Sequence, residues 1–188
     1  MNRNSNNGKK SRIGKLPILI PEGVTVHMDE RILFVSGPLG DLSRYIHSQI
    51  IIIIEEDKLF VETINSSTNT ARALHGLFRT LVDNMISGVT EKFEVDLELR
   101  GVGYRCALVN DSIVLNLGRS HKTTIQIPKG IEIIIDTPTK IKVLGINNEK
   151  VGFFAAQIRS HQPPEPYNGK GIVYSYEDIP YKPGKSGK

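Results

Sequence analysis

The chain repeats itself. From Ile20 it reads IPEGVTVHMD, and from Ile127 it reads IPKGIEIIID, so Ile-Pro-x-Gly, alternating aliphatics and an Asp recur in one register. Each copy runs on into a second alternating segment, RILFVSG at Arg31 and KIKVLG at Lys140. Alternation with a period of two places apolar side chains on one face of a strand. The proline and glycine that open each copy are turn residues. Each copy therefore begins as a hairpin, and any fold assigned to the chain must be built twice.

Each copy also carries one helix. In the first, Ala71, Leu74, Phe78, Leu81, Val82 and Met85 follow i, i+3, i+4, i+7 spacing and form one apolar stripe. The hydroxyls at 66–68 and the amide of Asn69 offer N-cap oxygens, and Gly88 suits a C-terminal stop. In the second, Val151, Phe154, Ala155 and Ile158 form the matching stripe; Asn147 or Asn148 caps it, and Pro163 forbids continuation. FRT at Phe78 overlays IRS at Ile158.

Between the copies, EKFEVDLELRGVGYRCALVNDSIVLNLG alternates almost throughout and turns at Asn110 and Asp111, with Gly101 and Gly103 marking a bend or bulge. LSRYIHSQIIIIIEEDKLFVETI supplies the corresponding strands of the first copy. The fold class is α+β: two tandem, duplicated domains, each a small antiparallel sheet covered by one helix. Their expected bounds are 16–88 and 89–162, after a basic arm over 1–15 and before a Pro/Gly loop and basic tail over 163–188. The isoleucines at 50–54 point to both faces of a strand. Either both faces are covered, which is the expected reading, or one is left apolar.

Charge is concentrated at the ends. Lys plus Arg exceeds Asp plus Glu by 24 to 20, a mild excess, but the first fifteen residues hold Arg3, Lys9, Lys10, Arg12 and Lys15 with no acid. The final YKPGKSGK holds Lys182, Lys185 and Lys188, again with none. Neither end has the apolar content for a core, so each is expected to order on an anionic surface or to remain solvated. A single cysteine, Cys106, excludes an intrachain disulfide, suits a reducing compartment, and is read as a small buried apolar side chain. The longest aliphatic run is far too short to cross a bilayer.

Nothing points to catalysis. The histidines at 27, 47, 75, 121 and 161 stand singly, none at metal-ligand spacing to another. RGVGYR contains Gly-x-Gly but lacks the third glycine and following helix of a dinucleotide site. The carboxylates of IEED and YEDIP read as solvated charge. No enzyme, cofactor or metal is expected.

The stretch QPPEPYNGKGI, at 162–172, is different. Pro163, Pro164 and Pro166 fix φ and hold an extended segment that loses little entropy on docking. Tyr167 offers a ring for stacking and a hydroxyl for a phosphate. Gly169 and Gly171 let a foreign backbone approach and free their amides for an anion, and Lys170 between them supplies charge. On these residues alone, contact with folded RNA stands level with a linker or a proline-rich protein ligand.

The motifs taken in order resemble the bacterial-type large-subunit ribosomal protein six ("L six") family, over nearly the whole length from Ser11. They are SRIGK, IPEGVTV, TARAL at Thr70, GVT at Gly88, GVGYR at Gly101, GRSH at Gly118 and PEPYNGKG at Pro164. The resemblance implies a structural protein bound to large-subunit ribosomal RNA near the factor-binding site and sarcin–ricin loop. Its neighbours would be other large-subunit proteins and, nearby, translational GTPase factors, with no membrane. Carried over by position, the RNA-contact residues are Gly118, Ser120 and His121 in one turn. In the closing loop they are Pro164, Glu165, Pro166, Tyr167, Gly169, Lys170 and Gly171. Arg119, Lys122 and Arg159 join them on charge and placement, with Asn168 in the loop and the terminal Lys9, Lys10, Arg12, Lys15, Lys182, Lys185 and Lys188. Asn168 stands where the family usually has lysine, and His161 and Gln162 stand where basic residues often precede the prolines. Fewer cations imply a flatter dependence of binding on salt. An adaptor docking proteins through the proline segment is the alternative from another class, and an enzyme a distant third. Heavy use of Ile and Asn, with bacterial-type motifs, favours synthesis in a plastid over a bacterial cytoplasm.

Overall fold

A computed structural model of the protein describes residues 11–64 and 68–184. The chain divides into two compact units between Lys92 and Phe93. The α+β tandem architecture is as the repeat requires, and each unit contains two small antiparallel sheets rather than one.

The first unit contains β1 (Ile18–Leu19), β2 (Thr25–Asp29), β3 (Ile32–Gly37), β4 (Gly40–Tyr45), β5 (Ile50–Glu55), β6 (Lys58–Thr63) and α1 (Asn69–Thr90). Its sheets have the orders β2-β3-β4 and β1-β6-β5. Thr68 caps α1, its side chain accepting from the Ala71 amide at 3.1 Å. Ala71, Phe78, Val82 and Met85 are buried as the stripe demands, and Phe78, Val82 and Met85 pack with Leu33, Val35, Ile50, Leu59 and Val61. Gly88 does not stop the helix. It lies in the last turn, and the cap is Glu91, whose amide donates to the Ser87 carbonyl. A buried Val89 explains the extra turn: ending at Gly88 would leave that side chain outside the core.

The isoleucine row corrects an expectation. Ile50 is buried and Ile52 packs on the core, but Ile51, Ile53 and Ile54 are exposed. β5 lies at a sheet edge and only one face meets α1, so the period of two leaves Ile51 and Ile53 apolar and wet on the other face, while Ile54, on the same side as Ile50 and Ile52, is exposed near the end of the strand.

The second unit contains β7 (Phe93–Arg100), β8 (Arg105–Val109), β9 (Ser112–Asn116), β10 (Thr123–Gln126), β11 (Ile131–Thr137), β12 (Lys140–Gly145), α2 (Asn148–Ser160) and β13 (Gly171–Tyr174). The orders are β11-β12-β7-β13 and β10-β9-β8. Asn147 caps α2, accepting from Glu149 and Lys150. Val151, Phe154, Ala155 and Ile158 are all essentially inaccessible against Leu97, Ile141, Val143 and Ile172. Burial of Val151, Phe154 and Ile158 stabilises by about 1.5–3 kcal/mol each. The segment after the loop is not immediately a tail: Ile172, Val173 and Ile179 belong to the buried interior.

The repeat is visible as geometry. Val24 donates to the Pro21 carbonyl and Ile131 to the Pro128 carbonyl, both at 3.2 Å. The glycine inside each turn has φ +84 or +85, so the two IP-x-G motifs close one kind of turn before β2 and β11.

Candidate nucleic-acid interface

The turn over 118–122 and the loop over 162–171 meet at one end of the second unit. The first joins β9 to β10 and is exposed throughout, presenting Gly118, Arg119, Ser120, His121 and Lys122. Arg119 reaches across to the second, donating to the Gln162 side-chain oxygen at 2.6 Å and the His161 carbonyl at 3.3 Å. Against the first lies Tyr104, whose ring borders the space that a side chain on Gly101 or Gly118 would need. Gly118 has φ +70, a conformation that favours glycine, and a Cβ there would also lie a tight 3.2 Å from the Tyr104 ring. The β7–β8 connection therefore joins the same end, with Val102 at its tip 92% exposed.

The 162–171 loop is a closed bend, not the extended rod expected of its prolines. The Glu165 amide donates to the Lys170 carbonyl at 2.8 Å, Gly169 to Glu165 at 2.9 Å, and Ile172 to Gln162 at 2.8 Å. The prolines stiffen one arm, and the other arm runs back into β13. The two glycines consequently face inward. A Cβ on Gly171 would lie 2.6 Å from the Pro164 Cα, and one on Gly169 would lie 2.5 Å from the Tyr181 hydroxyl. The room they leave is filled by the protein itself, and the Gly169 amide is already engaged, which corrects the expectation that both amides await an anion. Pro164 and Pro166 are half-buried, while Glu165, Tyr167, Asn168 and Lys170 point to solvent.

Two more expectations change with the structure. The Lys182 amide donates to the Pro166 carbonyl at 2.8 Å, so the start of the C-terminal tail is ordered by the loop it follows. On the first unit, the segment from Ser11 folds back on α1, with buried Gly14 against the His75 ring and Arg79 donating to the Leu16 and Pro17 carbonyls. Ordering there comes from the chain's own helix; Arg12 and Lys15 remain exposed on it. Lys9, Lys10, Lys185 and Lys188 lie outside the described residues, as do the cap hydroxyls at 66 and 67.

Arg159 is occupied. Its guanidinium makes a two-pronged pair with Glu177, with Nε to Oε2 at 3.0 Å, and lies 5.5 Å from the centre of the Tyr174 ring. That hydrogen-bonded pair holds the Glu177 carboxyl below the usual range and the Arg159 guanidinium above its own. Burial first, then the neighbouring Tyr176, raises the Tyr174 hydroxyl. Tyr174 stacks on Tyr176 with centroids 5.4 Å apart, and Tyr176 is 80% exposed. By contrast, no ion pair among the described residues engages Lys122, Lys170 or Lys182.

Sequence reasoning missed Tyr104, Val102, Tyr176 and Tyr181. The i, i+2 tyrosines of YSYE at the end of a strand were the available signal for one of these; the docking of Tyr104 under two glycines had none. Among the described residues no group of three or more His, Cys, Asp or Glu could hold a metal, and no helix is long and apolar enough to cross a membrane.

The family model for Ribosomal protein L6 matches residues 20–92 and 100–175, once in each unit. The chain belongs to the ribosomal protein L6 family. Its L6 relatives align almost end to end. It is 47% identical over 178 residues to the large ribosomal subunit protein uL6c of Phaeodactylum tricornutum, covering 95% of this chain and 99% of that one. The figures are the same for uL6 of Trichlorobacter lovleyi, and uL6 of Shouchella clausii is 48% identical over the same coverage. The paired L6 matches coincide with the two hairpin-and-helix copies that the sequence repeats.

Proposed function

We propose that this L6-family chain is a structural constituent of the large ribosomal subunit and binds ribosomal RNA through the loop-bearing end of its second unit. One observation carries the reading: the 118–122 turn and the 162–171 loop, far apart in sequence, are tied together by Arg119, and between them they expose Lys122, Lys170, Tyr167 and His121. Exposed cations and an exposed ring on joined loops suit RNA, where phosphate contacts position and rings stack on unpaired bases. The role is scaffolding rather than chemistry. The protein would lie near the factor-binding site and sarcin–ricin loop, beside other large-subunit proteins and within reach of GTPase factors. Arg12 and Lys15 would give the first unit a secondary phosphate contact. The ribosome is of bacterial type, and Ile and Asn usage favours a plastid; equal identity to the Phaeodactylum and Trichlorobacter proteins does not separate the two.

The test is binding of the full chain to large-subunit ribosomal RNA across a salt series. Lys170→Ala and Lys122→Ala should each weaken binding evenly across RNA sequences and lower the salt slope by about 0.7–0.9. Unchanged affinity and slope in both variants would remove the assignment. An adaptor would instead stay in the soluble pool at low salt, where a ribosomal protein sediments with the large subunit.

A further inference from the structure

A second surface of the same unit, sharing no residue with the loops described above, has the chemistry to take a nucleotide. The buried stripe of α2 is 151, 154, 155 and 158, yet Phe153, on the same helix, is 75% exposed. A groove of about 360 Å³ opens beside it, lined by Gln126, Pro128, Lys129, Lys150, Phe153, Phe154 and Gln157. Positions 150, 153, 154 and 157 follow i, i+3, i+4, i+7 spacing, so one helix face supplies most of the wall. The last residue of β10, Gln126, and Pro128 and Lys129 of the β10–β11 connection supply the rest. None of these residues belongs to the 118–122 turn or the 162–171 loop.

The composition of the wall selects its occupant. An aromatic face and a Pro128 ring offer flat apolar surface, and Lys129 and Lys150 add two cations at the rim. Gln126 and Gln157 each carry both a donor and an acceptor, and no lining residue is acidic. An apolar protein segment would gain nothing from two lysines. A nucleotide uses every element: base against Phe153, phosphate at the lysines, base edge at a glutamine.

We infer that this groove binds one unstacked nucleotide of the large-subunit ribosomal RNA, with Phe153 as the stacking platform and Lys129 and Lys150 as its phosphate contacts. This rests on the ribosomal reading above and adds a contact that reading does not need. The experiment uses the full chain and the complete large-subunit ribosomal RNA transcript, comparing wild type, Phe153→Ala, Phe153→Tyr and Lys170→Ala. Loss of one stacked base should weaken binding about 5- to 150-fold in Phe153→Ala, and Phe153→Tyr should restore it. Ultraviolet cross-linking of wild type should join the 150–157 peptide to a single nucleotide. Because the ring is exposed, circular dichroism of Phe153→Ala should match wild type, so a loss of affinity is not a loss of fold. If Lys170→Ala weakens binding while Phe153→Ala stays within twofold of wild type, the groove assignment is overturned and the loop assignment stands. It is equally overturned if Phe153→Ala leaves RNA affinity intact and instead abolishes association with a neighbouring ribosomal protein. If wild type does not bind the transcript, both readings fall together.

Discussion

Replacing Gly171 by alanine asks whether the contact loop is held by its own packing. A Cβ there would meet three backbone atoms, the Pro164 Cα at 2.6 Å, the Pro163 carbonyl oxygen at 2.7 Å and the Pro163 carbonyl carbon at 2.8 Å. Proline backbone has little freedom to yield, and φ +149 is a region that L side chains rarely occupy. Taken at face value, overpacking adds about 1–3 kcal/mol and backbone strain about 1–3 kcal/mol. The molecule has a cheaper escape, because it can swing 162–166 away from β13. That forfeits the bonds Ile172 to Gln162, Glu165 to Lys170 and Gly169 to Glu165, at about 0.5–1.5 kcal/mol each. The expected loss is therefore about 2–4 kcal/mol, confined to the loop. Hydrogen exchange reads it directly: the amides of Ile172, Glu165 and Gly169 should lose protection while the β7–β12 ladder keeps it. Gly152→Ala is the control. It lies inside α2 with open space around it, and should stabilise by about 0.5–1 kcal/mol. Unchanged protection at Ile172 in Gly171→Ala, with stability within about 0.5 kcal/mol of wild type, would refute the reasoning.

Three further outcomes follow from single sites. Ile50→Ala should cost about 2–4 kcal/mol in denaturant melts, whereas Ile53→Thr, on the exposed face of the same strand, should stay within about 0.5 kcal/mol and reduce aggregation. Burial pushes the Cys106 thiol up to about 11, so alkylation of the native protein should remain slow at pH 8 and become fast on unfolding. The same shift means that its contribution to stability is complete below about pH 9 and is lost as pH rises toward 11. Glu177 is shifted the other way by Arg159, so its contribution is present at neutral pH and lost as pH falls through and below the ordinary carboxylate range. Glu177→Gln should flatten that acid limb and loosen the 171–177 segment in hydrogen exchange.

The sequence announced what depends on local pattern. The IP-x-G turns, both hairpins and the α2 stripe follow from neighbouring residues and form as read, and the caps, Thr68 and Asn147, fall among the candidates at 66–69 and 147–148. What it concealed depends on pairing across distance. β13 joins the sheet by lying against β7, some seventy residues earlier, so GIVY read as the start of a tail. The same holds for the interface. Tyr167 and Lys170 were evident from their own neighbourhood, but Arg119 gripping Gln162 was not, nor was Tyr104 under Gly118. The charge of Arg159 is plain in the sequence, and only the fold reveals Glu177 beside it. The isoleucine row misled because hydrophobicity alone does not say which face a neighbour covers.

The central claim is that the 118–122 turn and the 162–171 loop rest on nucleotide phosphates. A density map of the assembled large subunit containing this chain measures that directly. Lys122 and Lys170 should lie within hydrogen-bond or ion-pair distance of RNA phosphates, with Tyr167 against a base or sugar. Finding that end of the second unit turned to solvent, or packed only on another polypeptide, would contradict the account.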